Sequence, residues 1–389
     1  MGLAVLRIVV CAVVLLNPAT QDAVRLASLP HPLGTPLEGL WSFGVPVTPM
    51  LARVAQVSLV GACLLAIVGV STRASLVVAT VAATYVLGLP QRHGNVIHHH
   101  HLVWLLALLA ISPAGDALAY DAPEARRSSR AYAAPLAAAR VTIGFVYLFP
   151  GIWKLREAGL GWALSDNLRN QMWWKWLQYD WTPAFRIDHH PMLLRALGLG
   201  TLAFELSFVV LVLFRRTRLF ALAMGLAFHL GTAWLMKIDF PSIWLCYLGL
   251  LGDDELHFEG VSRAWIASAG ALLLVIGIHG VRGQMRSWPF ACYPTFQWKV
   301  GTSMPDLLIT GDEPSGRVVD LWPGPRTQPE WGIAWSLAGL QGGLDRERLE
   351  AFVRAHERPG LVHLRAERVF RSVVPEDHGR IVRRELLLP

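Results

Sequence analysis

Val141-Thr142-Ile143-Gly144-Phe145-Val146-Tyr147-Leu148-Phe149-Pro150-Gly151-Ile152-Trp153-Lys154-Leu155 is an apolar run that closes on a lysine. A run of this kind belongs in hydrocarbon, where an unpaired charge costs ~2.5 kcal/mol or more. Lys154 is one of only four lysines beside thirty-one arginines. The position therefore carries the one cation able to release its proton: an ammonium pressed among apolar groups becomes easier to deprotonate, whereas a guanidinium stays charged. Lys154 is for that reason a candidate base. The competing reading is a helix-end lysine that snorkels to the headgroups and has no other task.

Outward from this run, apolar residues come in blocks. The chain has 389 residues, 53% hydrophobic and 16% charged, with a mean hydropathy of +0.41, which excludes an ordinary soluble globule. About 20 apolar residues cross a bilayer, fewer where flanking side chains snorkel. Blocks near 2–17, 50–71, 74–90, 96–112, 131–153, 192–214, 217–236, 238–251 and 263–281 meet this in varying degree. They predict an all-α polytopic membrane bundle of about nine transmembrane helices over 1–281, followed by a small α+β soluble domain over 282–389. The first block stops at Asn17-Pro18 and the eighth opens at Pro241, so these are the weakest. Arg7 inside the first block, and no basic segment ahead of it, favour a retained helix over a cleaved signal.

Cys11, Cys63 and Cys246 fall in spans and Cys292 stands apart, so no disulfide framework is legible. The net charge of +7 resides in arginines that flank spans rather than alternate with aromatics on a soluble face, so nucleic acid is not an expected partner. Those arginines orient the chain. Arg126, Arg127 and Arg130 follow the fourth block, and Arg215, Arg216 and Arg218 follow the sixth. By the positive-inside rule both loops are cytoplasmic. The expected protein is then a multi-pass membrane protein, N-terminus inside and C-terminal domain outside.

Between the fifth and sixth blocks lie Trp162, Trp173, Trp174, Trp176, Tyr179 and Trp181. Tryptophan favours the interface because its ring is apolar and its N–H needs a partner. The expectation is a helix lying on the outer leaflet, with one or two rings, Trp174 among them, roofing a cavity. The last hundred residues are charge-dense, 15 Lys plus Arg against 13 Asp plus Glu from 282 on. There the alternating Phe296–Val300, a hairpin over 306–322, a helix over 344–357 and strands over 362–370 and 381–388 make a compact module offering a surface to a protein or peptide partner.

Ionisable groups inside spans demand partners. His98, His99, His100 and His101 open the fourth block, and only pairs three or four apart, such as His98 and His101, share a helix face. A zinc site would need a third ligand such as His229; helix-terminal hydrogen bonding is the simpler expectation, and no metal is expected. Glu205, in the sixth block, has Arg140, Lys154 and His229 as candidate partners. The His run, Lys154, His229 and the tryptophans all fall in the outer half of the predicted bundle, and such convergence beside an apolar chamber is how sites are built.

The order of His98-His99-His100-His101-Leu102-Val103-Trp104 through Ser112-Pro113-Ala114-Gly115-Asp116, then the run ending at Lys154-Leu155 with Gly159-Leu160-Gly161-Trp162 after it, then Ala203-Phe204-Glu205-Leu206, Phe228-His229-Leu230-Gly231 and Ile238-Asp239-Phe240-Pro241, resembles the HTTM domain over about residues 1–281. That is the membrane region of vitamin K-dependent gamma-carboxylase and its bacterial relatives. The resemblance implies Lys154 as the base toward a reduced quinone such as vitamin K hydroquinone, with O2 and CO2 as co-reactants, and a helping histidine at His98 or His99. It implies architectural or site-lining roles for His229 and Phe240-Pro241. Trp153 stands where the carboxylase has a second lysine, and the soluble domain is short, so an oxygenase or epoxidase acting on a small lipophilic quinol fits better than carboxylation of a protein. A non-catalytic scaffold or immunity-type protein, and a proton-coupled carrier using Glu205, His229 and Lys154, are the other readings.

Overall fold

A computed structural model describes residues 1–29, 39–93, 99–124, 129–252, 257–285, 287–290, 295–322, 337–339 and 343–389. Besides short helical turns at Pro18–Gln21, Ala23–Ala27 and Gly161–Leu164, the helices in chain order are α1 (Gly2–Leu16), α2 (Pro49–Val68), α3 (Thr72–Val86), α4 (His100–Ile111), α5 (Ala133–Ala158), α6 (Asn167–Tyr179), α7 (Pro191–Leu211), α8 (Arg215–Met236), α9 (Pro241–Trp244), α10 (Tyr247–Leu250) and α11 (Arg263–Arg282). Among the described residues, six helices are long and apolar enough to cross a membrane: α2, α3, α5, α7, α8 and α11, with α3 and α5 extended by short 3-10 turns.

The expectation of nine crossings is met by six long helices; among the described residues the other three apolar blocks make short helices. At 1.5 Å per residue, 12-residue α4 is about 18 Å long, well short of a hydrocarbon core of about 30 Å. The block opened by Pro241 starts a helix with that proline in its first turn, where a missing N–H costs nothing, and forms two four-residue pieces, α9 and α10, separated by a turn at Leu245–Cys246. α1 ends where Asn17 turns out of the helix and its side chain accepts from Ala19 N at 2.9 Å.

Broken helices leave carbonyls that an apolar surrounding cannot satisfy. Three fully buried arginines satisfy them. Arg140 donates to Leu250 O at 3.3 and 3.1 Å and to Gly252 O at 3.0 Å, past the end of α10. Arg218 donates to Val212 O at 3.1 Å and Leu213 O at 3.0 Å beyond α7, and also to Gly252 O. Arg7 reaches Ala114 O at 2.6 Å, Ala117 O at 3.4 Å and Leu118 O after α4. A guanidinium suits this task because it offers five donors in a planar fork and a charge that complements a helix C-terminus. These contacts gather at one end of the bundle. Lys154, near the C-terminus of α5, lies toward the other.

The C-terminal part forms an antiparallel sheet of order β2-β1-β3-β4, from β1 (Ser303–Asp312), β2 (Val318–Trp322), β3 (Val362–Ser372) and β4 (Ile381–Leu388), with α12 (Arg346–Ala355) packed on it. Leu307, Ile309, Leu321, Leu349, Phe352 and Ala366 make its core. The predicted hairpin, helix and last two strands form where the alternation placed them. Gly316, at φ +81°, makes the β1–β2 turn, a conformation glycine adopts without strain. Phe296–Val300, expected as a strand, is not one. Side chains from the Trp-rich region take its backbone groups instead: Trp162 donates to Phe296 O at 2.6 Å, Gln171 to Trp298 O at 3.1 Å and Asn170 to Val300 O at 3.0 Å, while Val300 N donates to Asn167 Oδ1 at 2.9 Å.

Replacing Arg140 with methionine should lower the apparent unfolding midpoint in detergent, since stranding a buried carbonyl costs about 1–3 kcal/mol. Arg140→Lys should recover less than half of the loss, because one ammonium cannot span both carbonyls. Tryptophan fluorescence during heating is the readout, and an unchanged midpoint in Arg140→Met would remove the capping role.

Candidate functional site

On α5, Tyr147, Pro150 and Lys154 recur at helical spacing and share one face. Gly144 and Gly151 let α7 approach that helix closely; a Cβ added at Gly151 would lie 3.0 Å from the Glu205 Cβ and 3.2 Å from Leu206 Cδ2. That approach sets Glu205 beside Lys154. The Lys154 Nζ donates to Glu205 Oε1, and the two side chains are only 3% and 5% exposed. The ring of Trp162 lies over the ammonium, its centroid 5.1 Å from Nζ. Lys154 is therefore not a snorkelling lysine. Of the three candidate partners for Glu205 the fold selects this one: Arg140 serves the α10 carbonyls, and His229 bonds elsewhere. Glu205 Oε2 is buried and has no hydrogen-bond partner among the described residues.

One and a half to two turns before Lys154, a second polar group forms on the same face of α5. The Tyr147 hydroxyl lies 2.6 Å from His229 Nε2 and also bonds the Tyr247 hydroxyl. Phe204, Phe208 and Phe228 pack around the Tyr147 ring with centroids 4.9, 4.7 and 6.5 Å away. His229 Nδ1 is buried without a partner among the described residues. Both polar groups line one cavity of about 110 Å³, whose remaining wall is largely apolar and includes His100, Trp104, Phe149, Trp162, Phe240, Ile276 and Phe296.

The other expected site residues distribute differently. His98 lies outside the described residues. His99 precedes α4 as its N-cap and does not line the cavity, whereas His100 does, with its ring 4.4 Å from Trp104. His101 is 2.9 Å from Ser242 O and ties α4 to the broken α9 segment. Trp153 is off the lining: its indole donates to Gly280 O at 2.8 Å, and Arg156 stacks on it at 4.4 Å, so it joins α5 to α11 behind the wall. Trp174 does not roof the cavity; its N–H donates to Gly301 O at 3.2 Å. The role expected of Trp174 belongs to Trp162. Among the described residues no three His, Cys, Asp or Glu side chains converge as metal ligands would.

Tyr147 and Tyr247 were not singled out by sequence. Tyr147 had a legible signal, seven residues before Lys154 and so on its face of the helix. Tyr247 had none, because only the break at Pro241 brings it to Tyr147.

The Trp-rich segment is not a free surface anchor: Trp162, just before α6, and Trp176, on α6, are 2% and 1% exposed, and Trp176 donates to Leu235 O at 2.8 Å. Asp188, in the connection to α7, accepts from Trp173 at 3.0 Å and from Arg186 at 2.9 and 2.7 Å. Burial alone would raise the Asp188 carboxyl, but these bonds outweigh it and hold it below the usual carboxylate range. The tether's contribution is thus complete above the ordinary aspartate value and fades as pH falls through the lowered one.

The HTTM domain model matches residues 2–251, which supply all of the cavity lining except the residues from α11 and the Thr295–Phe296 pair. No curated protein and no solved structure matches the chain.

Breaking the buried pair from one side leaves a lone charge, which costs about 3–5 kcal/mol, while replacing both partners with apolar groups is often neutral or stabilising. Lys154→Met should therefore depress the unfolding midpoint strongly and the double change Lys154→Met with Glu205→Leu should restore most of it. Additive losses would mean that the two side chains do not share their charge.

Proposed function

The chain belongs to the HTTM family of membrane proteins, and on that premise we propose that it is a membrane enzyme that takes up the hydroxyl proton of a lipophilic quinol. The observation that carries this reading is the Lys154–Glu205 pair set into the wall of an apolar cavity. A cavity of about 110 Å³, smaller than the ~150 Å³ that accepts benzene, leaves room for no more than a single ring, with the tail of the quinol left toward lipid. In this reading the ligand hydroxyl faces Glu205 Oε2. Its proton passes to that oxygen, and the Lys154 ammonium, already bonded to Oε1, remains as counter-charge for the ligand oxygen. Lys154 thus acts within a pair rather than as an isolated amine. An apolar wall keeps water away and strengthens both interactions.

The family resemblance adds O2 as oxidant: one oxygen atom enters the ring of the quinol and the other leaves as water, giving an epoxide. Carboxylation of a second substrate would further consume CO2. The same reading puts the Lys154 end and the 282–389 domain on the extracytoplasmic face of a bacterial plasma membrane, as Arg130, Arg215, Arg216 and Arg218 at the other end favour.

The test is quinol consumption by the purified protein in nanodiscs with oxygen and bicarbonate. Wild type should turn over, and Glu205→Gln and Lys154→Arg should each lose at least about a hundredfold, with folding checked by the unfolding midpoint. Undiminished turnover in a folded Glu205→Gln protein would overturn the assignment. No binding or turnover of any quinol, with cellular phenotype preserved in Lys154→Arg, would favour the scaffold reading.

A further inference from the structure

One part of the cavity wall comes from outside the membrane helices. Thr295 and Phe296 line the cavity, and they open a strap, residues 295–301, that belongs to no helix or strand and leads into β1. It lies beyond residues 2–251, where the HTTM model matches. The strap is one chain thick: Phe296 lines the cavity, Gln297 is 5% exposed, and Trp298 is 54% exposed. A residue of the cavity wall and a residue of the outer surface are thus two positions apart.

Neutral hydrogen bonds from α6, and from Trp162 just before it, seat the strap. Trp162 and Gln171 donate to Phe296 O at 2.6 and 3.4 Å, Gln171 to Trp298 O at 3.1 Å, Asn170 to Val300 O at 3.0 Å and Trp174 to Gly301 O at 3.2 Å, while Asn167 accepts from Val300 N at 2.9 Å. Against these bonds stand two costs on adjacent residues. Phe296 has φ +58°, in the left-handed region where a bulky side chain is strained. Gln297 Oε1 is buried with no hydrogen-bond partner among the described residues, a loss on the scale of a missing hydrogen bond. Lifting the strap relieves both, because the backbone at Phe296 is freed and the Gln297 amide reaches water. Local strain opposed by a few exchangeable bonds brings two positions of a segment close in free energy, which is what a switching element needs. The indole that holds Phe296 O also lies over Lys154, 5.1 Å from Nζ, so seating the strap and covering the ammonium are one arrangement.

We infer that the strap 295–301 is a gate at the end of the cavity that faces the C-terminal sheet, with the Trp162 indole as its latch. Seated, it keeps water from the Lys154–Glu205 pair; lifted, it admits a small water-borne reactant that does not arrive through lipid. The inference concerns access and holds whatever lipophilic ligand the cavity takes.

Access is measured without a substrate. Ile276, 1% exposed and on the cavity wall, is changed to cysteine, and the full chain in nanodiscs is treated with sulfonatoethyl methanethiosulfonate. This small anion stays out of lipid and forms a mixed disulfide with a thiol it can reach, releasing methanesulfinate. Peptide mass under non-reducing conditions gives the rate at position 276. Adding Trp162→Phe, which keeps a ring over Lys154 and removes the N–H to Phe296 O, should speed labelling about tenfold, the worth of one hydrogen bond. Gln297→Leu removes the stranded oxygen and none of the bonds named above, so it should slow labelling by a similar factor. Asn170→Ala, which removes the donor to Val300 O, carries the loosening test should Trp162→Phe not fold. Cys246, 0% exposed in the bundle core, reports general loosening and should stay unmodified throughout. Opposite shifts in the loosened and tightened variants, with Cys246 silent, support the gate. A rate at 276 that neither change moves makes the strap a fixed wall, a rise at 276 matched at Cys246 means general loosening, and no labelling at 276 in Trp162→Phe or Asn170→Ala means that no route opens under the strap. Each of these three results overturns the inference. None of them bears on the quinol reading, which fails separately in the turnover assay.

Discussion

In an apolar surrounding each backbone N–H and C=O has to find its partner within the protein, and this chain meets that demand while interrupting its helices. Prolines and short apolar blocks break the bundle at α1, α4 and the α9–α10 segment. The carbonyls left after α4 and α10 are met by buried guanidinium groups, Arg7 and Arg140, and Arg218 does the same beyond the end of the full-length helix α7. The preference for arginine over lysine across the chain has a structural reason in these positions. They need a permanent charge and several donors in one plane, and they release nothing.

Lys154 differs in every respect that matters. It has a carboxylate partner rather than carbonyls, an indole face above it and a cavity beside it. The pair leaves hydrogen-bonding capacity unused at Glu205 Oε2, and unused capacity on a buried charged group is costly unless something else satisfies it. The same holds at His229 Nδ1. A bundle built only for stability would lose little by replacing Lys154 and Glu205 together with apolar residues, which is often neutral or stabilising. Their retention on one cavity wall, joined through a single face of α5, is what supports a ligand-handling role.

Much of this was legible and some was not. Apolar blocks located the helices because burial in lipid is a property of composition, and period-two alternation located β1 to β4 because a half-buried sheet imposes it. Lys154, Glu205 and His229 stood out because charge in hydrocarbon is expensive wherever it occurs. The nine-span expectation exceeded the six long helices because hydropathy registers apolar blocks without fixing helix length, and three of the blocks form helices of 15 residues or fewer. Phe296–Val300 alternates like a strand, yet Asn167, Asn170 and Gln171 offered its backbone closer partners than any strand did. Trp174 was expected at the cavity because helix α6 is rich in tryptophan, but ring orientation follows from where α6 docks, and only Trp162, just before it, faces Lys154.

Sequence alone determined that the chain is a membrane protein with a charge-dense C-terminal sheet, and that a lysine, a glutamate and a histidine are buried at a cost; these follow from local composition and period. Which of them meet was decided only by the tertiary structure. Arg140, Lys154 and His229 were equivalent candidates for Glu205 until Gly151 let α7 close on α5 at the level of Lys154. Long-range pairing of this kind depends on the separation and rotation of helices, which are set by small residues at their contacts and by where the breaks fall, and neither is encoded in the spacing of the paired residues themselves.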